Sequence, residues 1–223
     1  MAGAANLEGA LETRKTPSAG PPTIITVGHG TLPAQAFLDL LREIGVNVVV
    51  DVRSFPGSRR HPQFGRSEME VWLPEGGIEY CWERALGGFR KATPDSPNVA
   101  LRHAGFRGYA DYMSRPEFAA GIGHLEEESR QRPEGSLAIM CSESVWWRCH
   151  RRLIADHLAL VDGVNVRHLM HDGRLNSHVP TEEARVGPDG HLVYDVGHLV
   201  PLALDPEESS GPRSSRRGPP GES

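Results

Sequence analysis

Strand and helix patterns alternate along the middle of this chain, and this alternation limits the possible folds more than any other feature. The valine-rich run 46–52 has the continuous apolar character of a strand that is covered on both faces. It follows a short β-branched strand pattern over 23–27 and a helical pattern over 33–44, which Gly45 ends. Such an order predicts an α/β fold of the Rossmann-like type, with helices flanking a mainly parallel sheet.

The same alternation continues to residue 194. It predicts strands over 78–82, 136–140 and 164–169, helices over 67–73, 115–130 and 147–160, and a last strand over 191–194. The last strand is expected at an antiparallel edge of the sheet.

The ends of the chain differ from its middle. Residues 1–21 and 205–223 are rich in proline, glycine and serine and lack periodicity, so we predict disordered tails around a single α/β catalytic domain over 22–204. No apolar run reaches the roughly 18 residues that a membrane span needs, and the N-terminus lacks the pattern of a secretory signal. Three scattered cysteines do not form a disulfide framework, which predicts a cytoplasmic protein without a membrane partner.

Ligands of parallel sheets bind beyond the carboxyl ends of the strands, so the residues that follow each strand are the first candidates for a site. Gly28 and His29 follow the first strand, where glycine permits close approach to a ligand and histidine is a donor. A plain strand-to-helix turn is the alternative. Asp51 ends the valine-rich strand, so its carboxylate is expected at the rim of the sheet as a general base or electrostatic stabiliser.

The loop after the second strand is basic and aromatic. Residues 51–66 contain four arginines and one aspartate, which gives an excess of three positive charges. Arg53, Arg59 and Arg60 suit contact with phosphates, and Phe55 suits stacking on a base. The alternative is a solvated loop in which Asp51 only pairs with Arg53.

The third strand leads into a loop of similar character. Trp82, Gly87, Gly88 and Arg90 combine an aromatic ring, two permissive backbone positions and a positive charge, and we predict that they contribute to the same substrate-binding rim.

The segment 141–152 after the fourth strand is the densest group of reactive residues, and three interpretations compete. Cys141 or Cys149 is a nucleophile near His150; or these three residues bind a metal, although their spacing is not that of a zinc site; or the cysteines belong to the core. In the third case Glu143 is the functional acid, and His150 and Arg151 contact an anion at the helix start. We predict no metal and no cofactor.

Four short motifs, taken in order, resemble one family. They are Ile25–His29, Val49–Pro56, Leu86–Gly88, and Cys141–Glu143 with Cys149–Arg151. As a set they are similar to the bacterial and archaeal domain-of-unknown-function family 488, over about residues 22–180. The resemblance implies a single α/β domain, and it implies a role in DNA maintenance with removal of an altered base as the expected activity.

The resemblance, together with the candidate residues above, favours a DNA N-glycosylase that excises a modified or mismatched pyrimidine in DNA repair. Asp51 and Glu143 are the expected acids, His29 stabilises the leaving base, and Trp146 or Phe55 stacks on a flipped base. The net charge of -5 does not favour DNA as a partner, although positive charge on one rim acts locally. Two alternatives stay open: a thiol-dependent enzyme that uses Cys141 or Cys149 on a small molecule or phosphoester, and a non-enzymatic nucleic-acid-binding module.

Overall fold

The computed structural model describes residues 22–57, 59–133 and 135–196. The predicted disordered tails 1–21 and 205–223, and the predicted domain end at residue 204, lie outside the described residues. Within the described part, no helix has the length and apolar character needed to cross a membrane.

A six-stranded sheet forms the centre of the fold. Its strands are β1 (Thr23–Gly28), β2 (Val48–Asp51), β3 (Glu79–Trp82), β4 (Leu137–Cys141), β5 (Asn165–Leu169) and β6 (Leu175–Ser177). They lie in the order β3-β2-β4-β1-β5-β6, in which the first five are parallel and β6 is antiparallel to β5. The predicted α/β fold with a mainly parallel sheet is therefore confirmed.

Helices cover both faces of this sheet, as the continuous apolar strands require. They are α1 (Ala34–Glu43), α2 (Arg66–Glu75), α3 (Ala104–Met113), α4 (Pro116–Arg130) and α5 (Arg151–Leu160). Alternate residues of β2 enter two separate cores, because successive side chains of a strand point to opposite faces. Val49 packs in the core that contains α1 and α2, while Val48 and Val50 pack in the core that contains α3, α4 and α5.

Three details differ from the sequence prediction. The helix predicted over 147–160 begins only at Arg151, because Trp146–Arg148 forms a short 3-10 turn and Cys149 is extended. The predicted strand 191–194 is not an edge of the main sheet: it forms β8 (Leu192–Tyr194), which pairs with β7 (Ala184–Val186) in a separate antiparallel sheet. The antiparallel edge strand is instead β6, and helix α3 was not predicted.

Candidate functional site

A cavity of about 270 Å³ opens at the carboxyl ends of β2 and β4. Its walls come from the segments that follow β2, β3 and β4 and from the start of α3. The predicted site residues that line it are Arg53, Phe55, Gly88, Cys141, Glu143, Cys149 and His150. The structure thus brings together residues from three of the loops that the sequence singled out.

Two thiols and one imidazole meet at the wall of this cavity. Cys141 is the last residue of β4 and Cys149 stands just before α5, and both are buried. Nδ1 of His150 lies 4.0 Å from Sγ of Cys141 and 3.6 Å from Sγ of Cys149. Nε2 of His150 lies 2.9 Å from the Val52 carbonyl oxygen, which only accepts, so Nε2 carries the hydrogen. Nδ1 of His150 is therefore the ring nitrogen that faces both sulfurs.

The two thiols have opposite acidities. The hydrogen bond from Cys141 is the main cause that lowers the pKa of Cys149 to about 6, and the charge and N–H groups of Arg151 add to it against the effect of burial. The pKa of Cys141 rises to about 12, since its proton is held in the bond to Cys149 and it is buried. The backbone N–H of Arg151 belongs to the first turn of α5, where a helix favours negative charge. Of the two thiols, Cys149 is therefore the one that loses its proton more readily.

Arg151 organises the loop after β4 and does not line the cavity, contrary to its predicted role as a substrate contact. Its guanidinium is buried, donates to Oγ1 of Thr26 at 3.3 Å and donates to the main-chain oxygen of Glu143. Gly28, also predicted to bind substrate, allows this arrangement, because a Cβ there would lie 1.9 Å from that same oxygen. Both residues hold the thiol-bearing loop against β1.

Asp51 was expected to be a partly buried general base at the rim of the sheet, and its surroundings contradict this expectation. The side chain is fully buried. Its Oδ1 accepts from the backbone N–H and Nε of Arg53 at 3.0 and 2.8 Å, and its Oδ2 accepts from the Tyr80 hydroxyl at 2.7 Å. Because its acceptor positions are filled and it does not line the cavity, Asp51 acts by positioning Arg53.

His29 holds the other side of Arg53. It is buried, stacks on Phe64 with ring centroids 4.0 Å apart, and its pKa falls to about 4 through burial and the positive charge of Arg53. Nδ1 donates to the Gly30 carbonyl at 2.9 Å, so Nε2 accepts from Nη1 of Arg53 at 3.3 Å. Its one N–H is thus committed, and the predicted role as a donor to a leaving base is corrected to positioning.

Glu143 is the predicted acid that does reach the cavity. It is exposed, lines the cavity, and its Oε1 accepts the backbone N–H of Val145 at 3.2 Å. The two predicted acids are therefore not brought together, since Asp51 lies beneath Arg53 while Glu143 faces solvent.

Other predicted substrate-binding residues lie around the cavity without lining it. The Trp82 indole donates to the Arg53 carbonyl at 2.9 Å, and Gly87 packs against Ser54, with which an added Cβ would collide. Arg90 lies over the Tyr112 ring at 4.0 Å. These side chains shape the loops after β2 and β3.

Trp146, Arg59 and Arg60 are also absent from the lining. The Trp146 indole stacks on His168 with centroids 3.9 Å apart, so one of its two faces is occupied, and its stacking on a base stays a prediction. Arg59 and Arg60 are exposed on the loop after β2.

Sequence reasoning missed several residues of the cavity wall. Phe89, His103, Phe106 and Arg148 line it, and none was predicted as a site residue. Arg148 directly precedes Cys149, so its position in the sequence was a usable signal. His103 and Phe106 belong to the start of the unpredicted helix α3, so their position depended on an element that the sequence pattern did not reveal.

Cys141, Cys149 and His150 are also the one group of potential metal ligands found in the described part of the chain. Their ligand atoms all lie within 4.8 Å of one another. Two sulfurs and an imidazole nitrogen are donors that Zn²⁺ or Cu⁺ accepts. Tetrahedral zinc needs a fourth ligand besides these three. The absence of a metal and a cofactor stays a prediction.

Comparison with known proteins gives a family match. A family model described as "Domain of unknown function DUF488" matches residues 33–158, which is more than half of the chain and includes the cavity-lining segments after β2, β3 and β4. Neither the search of curated proteins nor the search of solved structures gave a match.

Proposed function

We propose that this chain, which belongs to the DUF488 family, is a thiol-dependent enzyme that acts on a small molecule or phosphoester with Cys149 as its nucleophile. The observation that carries the proposal is the meeting of Cys149, Cys141 and His150 at the cavity wall. A cysteine is nucleophilic as its thiolate, and a neighbouring histidine and a helix start are the surroundings that produce one.

The groups present support a two-step reaction. The Cys149 thiolate forms a bond from its sulfur to the electrophilic atom of the substrate while the bond to the leaving group breaks, and the leaving group takes a proton from water. A second water then attacks the same atom, one of its protons passes to Nδ1 of His150, and the bond to sulfur breaks so that Cys149 leaves as a thiolate again. His150 releases this proton to solvent. Nε2 keeps its hydrogen throughout, because the Val52 carbonyl holds it.

The test combines thiol labelling with a substrate screen. Iodoacetamide should label Cys149 with a midpoint near pH 6, as the lowered pKa requires. A panel of nitrophenyl esters and phosphates should include at least one that is turned over, and Cys149→Ser should reduce that turnover by roughly 1,000-fold or more. Cys81→Ser is the matched control, since Cys81 lies away from the cavity and burial raises its pKa to about 11. Full activity of the Cys149 variant on every active substrate excludes the proposal.

A DNA N-glycosylase that removes a modified or mismatched pyrimidine is the second candidate. The observation that favours it is that Glu143 and Phe55, an exposed acid and an exposed ring, line the same cavity. Glu143 would stabilise the oxocarbenium-like sugar or orient water, while Phe55 stacks on an extruded base. The exposed Arg59 and Arg60 would contact phosphates of DNA.

One pair of variants separates the two candidates. Oligonucleotides that carry a panel of altered bases are incubated with the protein and assayed for abasic sites. Base release that is lost in Glu143→Gln and kept in Cys149→Ser supports the glycosylase, and the reverse pattern supports the thiol enzyme. Salt-sensitive DNA binding that neither variant changes, without any base release, supports a non-enzymatic binding module.

A further inference from the structure

We propose that Phe55, Phe89 and Phe106 form an aromatic wall that binds a planar aromatic group of the substrate, and that Arg148 binds an anionic substituent of the same molecule. The inference rests on the proposed thiol function, because it specifies what the cavity beside Cys149 accepts. The wall consists of three rings from three different segments, all of which line the cavity.

Two of these rings are open to solvent. Phe55 is 73% exposed and Phe89 is 89% exposed, the latter being the most exposed large apolar side chain in the described part of the chain. Their ring centroids are 6.5 Å apart and their planes are inclined by 49°. Two neighbouring exposed rings at the mouth of a cavity are unfavourable in water, and such patches in folded proteins mark binding sites. A flat ring that covers both of them removes this exposed surface.

The backbone at Phe89 is held in a conformation that its side chain disfavours. Phe89 has a φ of 60°, and it is the one residue other than glycine with positive φ in the ranges that the structure describes. Bulky residues adopt this region at a cost, and such strain is concentrated at binding and catalytic sites. The preceding carbonyl of Gly88 accepts from Oγ of Ser54 at 2.5 Å and from Nη1 of Arg90 at 2.9 Å. These two bonds fix the backbone so that the Phe89 ring points outward.

The same segment passes directly over the reactive group. A Cβ at Gly88 would lie 3.1 Å from Nδ1 of His150, so the backbone that carries Phe89 is in contact with the imidazole that serves Cys149. Phe89 and Cys149 also line the same cavity, so one substrate that occupies it can contact both.

The third ring, Phe106, packs against neighbouring side chains. Phe106 lies in the first turns of α3, packs against the His103 ring with centroids 5.2 Å apart, and receives the Arg152 guanidinium at 5.5 Å. Phe106 is partly buried and does not need to move to meet a ligand. Aromatic pairs favour offset or edge contacts at centroid distances of about 4.5–7 Å, so the three rings offer a planar ligand several favourable contacts.

Arg148 supplies the charge. It is exposed and lines the cavity next to Cys149, and in the residues that the structure describes its guanidinium has no hydrogen-bond or ion-pair partner. Arg53, by contrast, is already neutralised by Asp51. A free guanidinium beside an aromatic wall suits an aryl carboxylate or aryl phosphate. A nucleobase with its phosphate has the same two chemical features, and the test distinguishes these two sources.

The experiment measures the selectivity of Cys149 for matched electrophiles. Wild-type protein is treated separately with N-phenylmaleimide and N-ethylmaleimide, and the labelling rate of Cys149 is followed by peptide mass spectrometry. We expect the phenyl-to-ethyl rate ratio, corrected by the ratio for a free thiol, to be at least 5-fold, and to fall to about 1 in Phe55→Ala and Phe89→Ala. Val71→Ala, an exposed apolar residue of α2 away from the cavity, is the matched control and should keep the wild-type ratio.

A second set of reactions tests whether Arg148 binds an anionic substituent. The ratio of the labelling rate with N-(4-carboxyphenyl)maleimide to that with N-phenylmaleimide should be at least 3-fold lower in Arg148→Gln than in wild type. Phenyl phosphate and adenosine monophosphate are then added as competitors in separate experiments. Protection of Cys149 by both identifies any aryl anion as a ligand, and protection by the nucleotide alone identifies a nucleobase ligand. Protection by neither overturns the proposal.

The outcomes distinguish failure of the aromatic wall from failure of the proposed thiol function. Labelling of Cys149 at an equal phenyl-to-ethyl ratio in wild type and both phenylalanine variants overturns the aromatic wall and leaves the thiol function standing. Failure of every electrophile, including iodoacetamide, to label Cys149 excludes the thiol function itself and the inference with it.

Discussion

Two histidine-centred clusters in this molecule use similar side chains for opposite purposes. The open cluster consists of Cys141, Cys149 and His150, and the closed cluster consists of Thr26, Asp156, His168 and His178. The open cluster lines a cavity, and its histidine directs Nδ1 at two sulfurs. The closed cluster is buried. Residue type alone therefore does not indicate a site, whereas access and an uncommitted ring nitrogen do.

Every ring nitrogen of the closed cluster is occupied. His178 donates from Nε2 to Oδ1 of Asp156 at 3.0 Å, so its Nδ1 accepts from Nε2 of His168, also at 3.0 Å. Nδ1 of His168 then accepts from Oγ1 of Thr26 at 2.7 Å. This continuous chain of donors and acceptors leaves nothing for a ligand, and it ties β1, β5 and α5 to the segment after β6.

The largest expected effect is on the stability that the closed cluster supplies. Asp156→Ala removes the acceptor of His178, Thr181 and Tyr194, which together donate four hydrogen bonds to the carboxylate. Leaving these buried donors unpaired should lower the free energy of unfolding by about 3–5 kcal/mol. Urea unfolding followed by circular dichroism measures this change.

Asp172→Ala is the matched control for that measurement, because Asp172 is an exposed carboxylate paired with an exposed arginine. It should leave the urea midpoint unchanged. Equal midpoints for the Asp156 and Asp172 variants would show that the closed cluster is not the stabilising feature described above.

The next effect tests the open cluster. Cys141→Ala removes the hydrogen bond that most strongly lowers the pKa of Cys149, so that pKa should rise from about 6 toward the ordinary value of about 8.5 for a thiol. The thiolate fraction at pH 6, and with it the rate of alkylation of Cys149, should fall about 100-fold. Rates of iodoacetamide labelling between pH 5 and pH 9 give the midpoint.

Cys141→Ser serves as the conservative variant in this experiment. A serine hydroxyl also donates a hydrogen bond, so this variant should recover much of the lost reactivity at pH 6. A midpoint that stays near pH 6 in Cys141→Ala would assign the acidity of Cys149 to Arg151 and the helix start instead.

The closed cluster should also make stability depend on acid. Burial is the main cause that lowers the pKa of His168 to about 3, and the neighbouring His178 and Arg151 add to it. Because the folded-state value lies below the unfolded value of about 6.5, the unfolded chain binds more protons in acid. The contribution of His168 to the free energy of unfolding is therefore present in full above pH 6.5, and it is lost as the pH falls toward 3. Between pH 7.5 and pH 5 this amounts to about 2 kcal/mol for His168.

His168→Gln isolates that contribution. The variant is less stable at pH 7.5, but the loss of stability between pH 7.5 and pH 5 should be about 2 kcal/mol smaller than in wild type. Urea unfolding at the two pH values measures how much the free energy of unfolding changes with pH in each protein. An identical change in the two proteins would mean that His168 is protonated equally in the folded and unfolded states.

The sequence predicted the sheet better than the site, and the reasons lie in particular residues. Continuous β-branched runs such as 46–52 predicted the central strands because burial on both faces requires them. Helix α3 was missed since Gly105 and Gly108 weaken its local signal, and it is held instead by tertiary contacts such as the Tyr109 hydroxyl on the Leu86 carbonyl. Propensity alone does not contain such contacts.

At the site, the sequence showed the reactive residues but not which of them are free. Asp51 was correctly placed at a strand end, yet Tyr80 from the neighbouring strand and Arg53 from the same chain segment fill its oxygens. Cys141 and Cys149 meet because Gly28 and Arg151 draw the intervening loop onto β1. Both outcomes depend on contacts between distant parts of the chain.

The smallest expected effect concerns Trp146, which lies between two residues of the open cluster in the sequence but packs on the closed cluster in space. Its indole lies flat on His168, with centroids 3.9 Å apart and planes inclined by 6°. Trp146→Leu should lower the free energy of unfolding by about 1 kcal/mol, because the stacking contact is lost while apolar cover is largely kept. The iodoacetamide midpoint of Cys149 should stay near pH 6, since Trp146 does not line the cavity. A variant that keeps full stability but loses labelling of Cys149 would assign Trp146 to the open cluster. The two histidine clusters would then not be separate in function.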